Sequence, residues 1–143
     1  MKQYCNLALF SAILAMAGGV FYREFTKFQG FTGRTQLAFV HTHYFLLGMV
    51  FFLLLLLVEK MFSFTQKRTK YVLCTYQIGL HIACIAMVVR GITQVLGTTL
   101  SKAVDASLSG VAGIGHILLG VSMVIVLLDV RRAVIQQSAK NQK

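Results

Sequence analysis

The sequence predicts an all-α integral membrane protein, a four-helix antiparallel bundle with N- and C-termini cytoplasmic. Three observations predict it. Of the 143 residues, 57% are hydrophobic and 13% charged, whereas a soluble domain is about a quarter charged and at most half apolar. The apolar residues gather into four stretches, each near the ~20 residues that carry a helix across a hydrocarbon core. These stretches run unbroken, as at residues 51–58, where strands would alternate. The same composition excludes a disordered chain, and the length fits a single transmembrane domain over residues 1–143.

The predicted spans cover about 6–22, 36–58, 71–95 and 106–128, with more polar connectors at 23–35, 59–70 and 96–105. Backbone groups in lipid must bond within the segment, and the absence of proline removes one source of broken helices. The first stretch superficially resembles a secretory leader, with Lys2 ahead of it and Ala15, Ala17 and Gly18 near its end. The charged pair Arg23 and Glu24 that follows, and the three later spans, favour a retained helix. Orientation follows from Lys and Arg. With the N-terminus inside, Lys2, Lys60, Lys67, Arg68, Lys70, Arg131, Arg132, Lys140 and Lys143 are cytoplasmic, against Arg23, Lys27, Arg34, Arg90 and Lys102 outside. That asymmetry, with attraction to anionic lipid, accounts for most of the formal charge of +10. The basic residues form no single stripe, so nucleic acid is not an expected partner. Three cysteines, none on an outer connector and none in a CxxC pair, imply no disulfide framework.

An ionisable group inside a span is costly and is a functional candidate by default. Glu59 and Asp129 lie at inner ends near Lys60 and Arg131 and can reach the interface. The candidates that remain are His41, His43, His81, Arg90 and His116. At about 100° per residue, Ser109, Ala112, Gly113, His116, Gly120 and Met123 share one helix face. Small residues on both sides of His116 clear a slot for a ligand, although a packing surface uses small residues too. His41 and His43 point about 160° apart, so both cannot face the bundle centre. Gly48 falls on the face of His41 and leaves room beside it. In the third span Gln77, His81 and Cys84 share a face, while Gly79, Ala83, Ala86 and Arg90 form another. His81 reads equally as a ligand or as a histidine hydrogen-bonded to a neighbouring helix. At about 1.5 Å per residue, His81 and His116 lie near mid-membrane, His43 about 6 Å toward the outside, and His41 and Arg90 about 10 Å.

Three ligands make use of membrane histidines. Haem takes two axial imidazoles from facing helices, with cations for its propionates. Zinc or copper needs three or four converging donors. A proton relay usually includes a carboxylate, and none lies mid-span. The Gly-flanked histidines, the 11 Phe and the outer arginines fit haem best.

The run from Gly18 through Phe25, then Phe31-Thr32-Gly33-Arg34 and His41-Thr42-His43, closely resembles a family of small four-helix bacterial membrane proteins, the domain-of-unknown-function family 2871. The likeness covers nearly the whole chain, including Met87 through Gly91 and Gly113-Ile114-Gly115-His116. It implies the bacterial cytoplasmic (inner) membrane and no particular activity. The first two spans also distantly resemble the haem–copper oxidase and nitric-oxide reductase catalytic subunit, in which a His-Thr-Asn run on the second helix supplies an axial ligand to the low-spin haem. His41-Thr42-His43 matches at its first two residues and departs at the third. The copper-centre histidines are missing, so oxygen or nitric-oxide reduction does not carry over.

Together these readings give a b-type haem-binding membrane protein with His41 and His116 as axial iron ligands. Gly48, Gly113 and Gly120 make room, Arg90 and Arg23 hold propionates, and His43 and His81 are alternative ligands. Level estimates favour His43 over His41 opposite His116. The expected role is electron transfer, gas sensing or haem handling, with respiratory-chain proteins or self-association as partners beside membrane lipid. Two other classes stay open: a cofactor-free structural or interaction protein, and a divalent-metal or proton-coupled transporter using His43 and His81.

Overall fold

The computed structural model describes residues 1–141; Lys143, counted above on the basic flank, lies outside them. Every element among the described residues is helical. Helix α1 spans Lys2–Phe28, and α2 (Leu37–His43) continues through a π-helical segment, Tyr44–Val50, into α3 (Phe51–Phe62). These three pieces form one crossing helix, Leu37–Phe62. Helix α4 runs Lys67–Val95 and α5 Lys102–Asn141. All four crossings are long and apolar enough to traverse a membrane.

The helices outrun the predicted spans at several ends because polarity marks where lipid stops, not where a helix stops. Residues 23–28, expected in a connector, extend α1 to a reversal at Gly30, whose φ is +60°. Helix α3 ends where Ser63 turns left-handed, and α4 ends just before Gly97, at φ +65°. Helix α4 begins with a reciprocal cap: the Gln66 side chain accepts from the backbone of Thr69, and the Thr69 hydroxyl accepts from the Gln66 N–H.

Packing follows small residues. Gly48 sits so close to α1 that a Cβ there would lie 2.5 Å from the Ser11 Cβ. Ser11 and Ala15 are fully buried against the second crossing. The α4–α5 contact is built on Gly79 and Gly115: a Cβ on either would come within 2.8 Å of the opposing backbone. Without a hydrophobic drive between helices in lipid, such close backbone approach supplies the association. Leu119, Ser122 and Val126 continue the α5 seam at helical spacing, all buried. Helix α1 packs mainly on the second crossing and α5 mainly on α4, so these two lie toward opposite flanks.

One end of the bundle carries the start of α1, the α3–α4 turn and the last turns of α5. Here Glu59 accepts from the backbone N–H (2.9 Å) and hydroxyl (2.7 Å) of Thr65, fixing the turn. The buried Asp129 takes Arg68 and the Thr69 hydroxyl from α4, with Arg132 at 3.9 Å. Its two hydrogen-bonding partners thus come from across the α4–α5 interface, Arg132 of its own helix adds a longer ion pair, and Arg131 is not among them. We call this the basic end. At the other end Thr35 donates to Gly91 O and the Gln36 N–H to Gln94 Oε1, tying the α1–α2 loop to α4.

Candidate functional site

The π-helical segment starts immediately after His43. A π turn adds a residue per turn and shifts the faces that follow. Tyr44 is thereby buried against α4, and Tyr76 donates its hydroxyl to Leu47 O at 2.7 Å within the widened stretch. Ahead of the segment, α2 keeps α-helical phase, so Gln36, Phe39 and His43 share one face.

That face meets α5. The His43 and His116 rings stand with centroids 6.2 Å apart and planes at 89°. Each Nδ1 hydrogen-bonds the carbonyl four residues earlier: His43 to Phe39 O at 2.8 Å, His116 to Ala112 O at 2.7 Å. A carbonyl only accepts, so each Nδ1 carries a proton, and Nε2 is the ring nitrogen left for another partner. This is how metal-binding imidazoles are commonly oriented. The two histidines border a groove of about 290 Å³ with Phe39, Met87, Arg90 and Ala112 among its walls. Arg90 closes the end away from the basic end. Its Nη2 donates to Asp105 Oδ1 (2.7 Å), Asp105 O (3.2 Å) and Ser109 Oγ (2.8 Å). The remaining guanidinium donors make no hydrogen bond to the described residues.

The other predicted residues go elsewhere. His41 turns to α1, where its ring stacks on Tyr22 at 6.5 Å and packs over Gly19. Its Nδ1 is buried without a partner. The structure therefore brings His43, not His41, opposite His116, because residues two apart on a helix face opposite ways. Gly48 makes room for Ser11 and not for a ligand. Gly113 and Gly120 have nothing within 4 Å of a would-be Cβ and sit open beside His116. Arg23 is an exposed residue at 3.8 Å from Glu24 and does not line the groove.

His81 belongs to a separate cluster. Its Nδ1 lies 2.9 Å from the Tyr44 hydroxyl and its Nε2 3.1 Å from Gln77 Nε2, with Phe10 edge-on at 6.0 Å. Both ring nitrogens are engaged, which is the interhelical hydrogen-bonding arrangement. His43 and His81, paired in the transport reading, share no partner. Two residues of these clusters have no role predicted from sequence: Asp105, which falls in a predicted connector, and Tyr44. The available signal was the i, i+4 spacing of Asp105 and Ser109 at the level of Arg90.

A family model described as "Protein of unknown function (DUF2871)" matches residues 1–133. The chain belongs to the DUF2871 family. No curated protein and no solved structure matches this DUF2871 chain, so the likeness of its first two crossings to the oxidase subunit has no structural counterpart. Among the described residues, no group of three or more His, Cys, Asp or Glu is placed to hold a metal ion. Haem asks less of the protein: two imidazoles and space. Two imidazoles on opposite sides of one iron would have ring centres about 6 Å apart, from metal–nitrogen bonds of about 2 Å plus the ring radius. The ring centres of His43 and His116, 6.2 Å apart, have that spacing. The groove alone is at the lower bound of ligand cavities, about 300 Å³, but its wall is open where Phe39 and His116 are exposed.

Proposed function

We propose that this DUF2871 protein is a b-type haem-binding protein of the bacterial cytoplasmic membrane, with His43 and His116 as the axial pair. One observation carries the reading: two imidazoles from facing helices, each with Nδ1 tied to its own helix, border one groove and leave Nε2 without a hydrogen bond to any described residue. A structural histidine pair would be expected to hydrogen-bond across the helices, as His81 does with Tyr44. Haem bound by two imidazoles supplies one-electron transfer, its potential set by the surrounding hydrogen bonds and burial. In this chain, Phe39 O and Ala112 O would hold the two imidazole rings in a fixed orientation. Arg90, prepositioned by Asp105 and Ser109, offers its free donors to an anionic edge. His41 and Arg23 have no part in this arrangement, and Gly113 contributes open space.

The charge distribution supports an orientation with the basic end, and therefore both termini, in the cytoplasm. The groove then lies in the outer half of the membrane. The test is the visible spectrum of protein purified from haem-replete cells. The reading expects a Soret band with sharp α and β bands on reduction, as six-coordinate bis-imidazole iron gives; a colourless protein overturns it.

A further inference from the structure

A second cavity, of about 410 Å³, opens at the basic end between the first two turns of α1 and the first three of α4. Its polar groups occur at two levels. At the mouth are Glu59, Lys70, Tyr4 and Thr65, with the Tyr4 hydroxyl 2.5 Å from the Thr65 hydroxyl and Thr65 donating to Glu59. At the floor, seven residues or about 10 Å deeper along α4, is Gln77. Between the two levels the walls are Leu7 and Leu73. The cavity is therefore polar, apolar, then polar along its depth.

Gln77 carries the argument for an occupant. Its Nε2 faces the His81 ring, while its Oε1 is buried and has no hydrogen-bond partner. Such an atom in a membrane interior is costly. The terminal torsion of glutamine is broad and roughly two-fold, so a turn of the amide offers either its oxygen or its NH₂ to the cavity. The missing partner is thus a group able both to donate and to accept, such as a hydroxyl. The mouth adds two constraints. Glu59 stands there with Lys70, Gln3 and Met1, so the mouth offers donors and acceptors together and favours a ligand that can both donate and accept over a purely anionic or cationic one. The mouth also carries hydrogen-bonding groups, which gives a ligand polar at both ends an advantage over one polar at a single end. The Tyr4 ring, stacked at 6.2 Å on Phe64, adds an aromatic wall beside the mouth.

We propose that this cavity binds the hydroquinone head group of an apolar-tailed molecule, one hydroxyl meeting Gln77 and the para hydroxyl meeting the Glu59–Thr65–Lys70 mouth. A glycerolipid with a hydroxyl head shares the hydrogen-bonding chemistry but lacks the second polar edge across a ring. The site is distinct from the His43–His116 groove, and its test does not depend on haem.

Cys74 lines the cavity and is exposed, while Cys84 is buried. In full-length Cys5→Ser protein in detergent, Cys74 is then the reporting thiol. Its alkylation by N-ethylmaleimide is timed by mass spectrometry, anaerobically, with tetramethylhydroquinone or with monoolein. The ring of tetramethylhydroquinone has no free carbon for thiol addition. The proposal expects saturable slowing by the hydroquinone, about tenfold at about ten times Kd, and none by monoolein. Gln77→Leu abolishes the slowing, and Leu7→Trp, which fills the cavity from its α1 wall, does the same. Helix content by circular dichroism accompanies each variant; should Gln77→Leu lose it, Leu7→Trp carries the test. Slowing by neither compound, equal slowing by both, or slowing that persists in the folded variants overturns the proposal.

Discussion

At the residue scale, the four histidines separate by what their ring nitrogens touch. His81 has a partner on each side, His43 and His116 have one each to their own helix, and His41 has none at Nδ1. The substitutions that follow are unequal. His43→Ala or His116→Ala removes one of the two proposed iron ligands and is expected to abolish six-coordinate haem, read as loss of the bis-imidazole spectrum at unchanged helix content. His41→Phe removes an unpaired buried nitrogen and keeps an aromatic ring on Tyr22, so haem content stays at the wild-type level. Loss of haem in His41→Phe at unchanged helix content would return the axial role to His41. Tyr44→Phe leaves His81 short of one partner across two crossings. An interhelical hydrogen bond in a membrane protein contributes about 0.6 kcal/mol on average and up to about 1.7, so a drop in unfolding stability of that size in detergent is expected, with haem content unchanged.

At the element scale, the glycines are predicted to split by sign. Alanine raises helix propensity over glycine by up to about 1 kcal/mol. At Gly113, where a Cβ meets nothing, Gly113→Ala should be neutral or stabilising. At Gly79 or Gly115 the Cβ would strike opposing backbone at 2.8 Å, and overpacking of that kind costs about 1–3 kcal/mol. Thermal unfolding in detergent of the three alanine variants checks the contrast; equal behaviour would contradict the assigned α4–α5 seam. The four crossings were legible in the sequence because hydrophobic length is a one-dimensional property. The face Gly79–Ala83–Ala86 was legible as a face, but its partner was not, since periodicity specifies direction around one helix and not which helix lies there. The Ser109–Gly120 stripe shows the same limit: Gly115, outside the stripe, makes the packing contact, while Gly113 and Gly120 stay open. The π-helical segment left no signal at all, because nothing among Tyr44–Val50 forbids α-helical geometry.

At the scale of the whole molecule, the alternation of crossings gathers the basic flank at one end and puts Arg90 at the other. If the positive flank is cytoplasmic, the exposed Cys5, ahead of the first predicted span at that end, should react with a membrane-impermeant maleimide in inverted vesicles and, in a Cys74→Ser background, not in intact spheroplasts. Labelling in spheroplasts would reverse the orientation and move the groove to the cytoplasmic half. The sequence placed all four histidines between mid-membrane and the outer half; it could not pair them, because pairing depends on how α2 and α5 rotate when α4 intervenes. The pair that meets, His43 and His116, is the one that depth favoured and motif likeness did not.

The account stands on haem bound between these two rings, and the most direct measurement is haem per chain by pyridine haemochrome on the purified, haem-replete wild type. The account predicts a stoichiometry of about one, as a single bis-imidazole site requires. Protein that is folded by circular dichroism and carries no haem would contradict it.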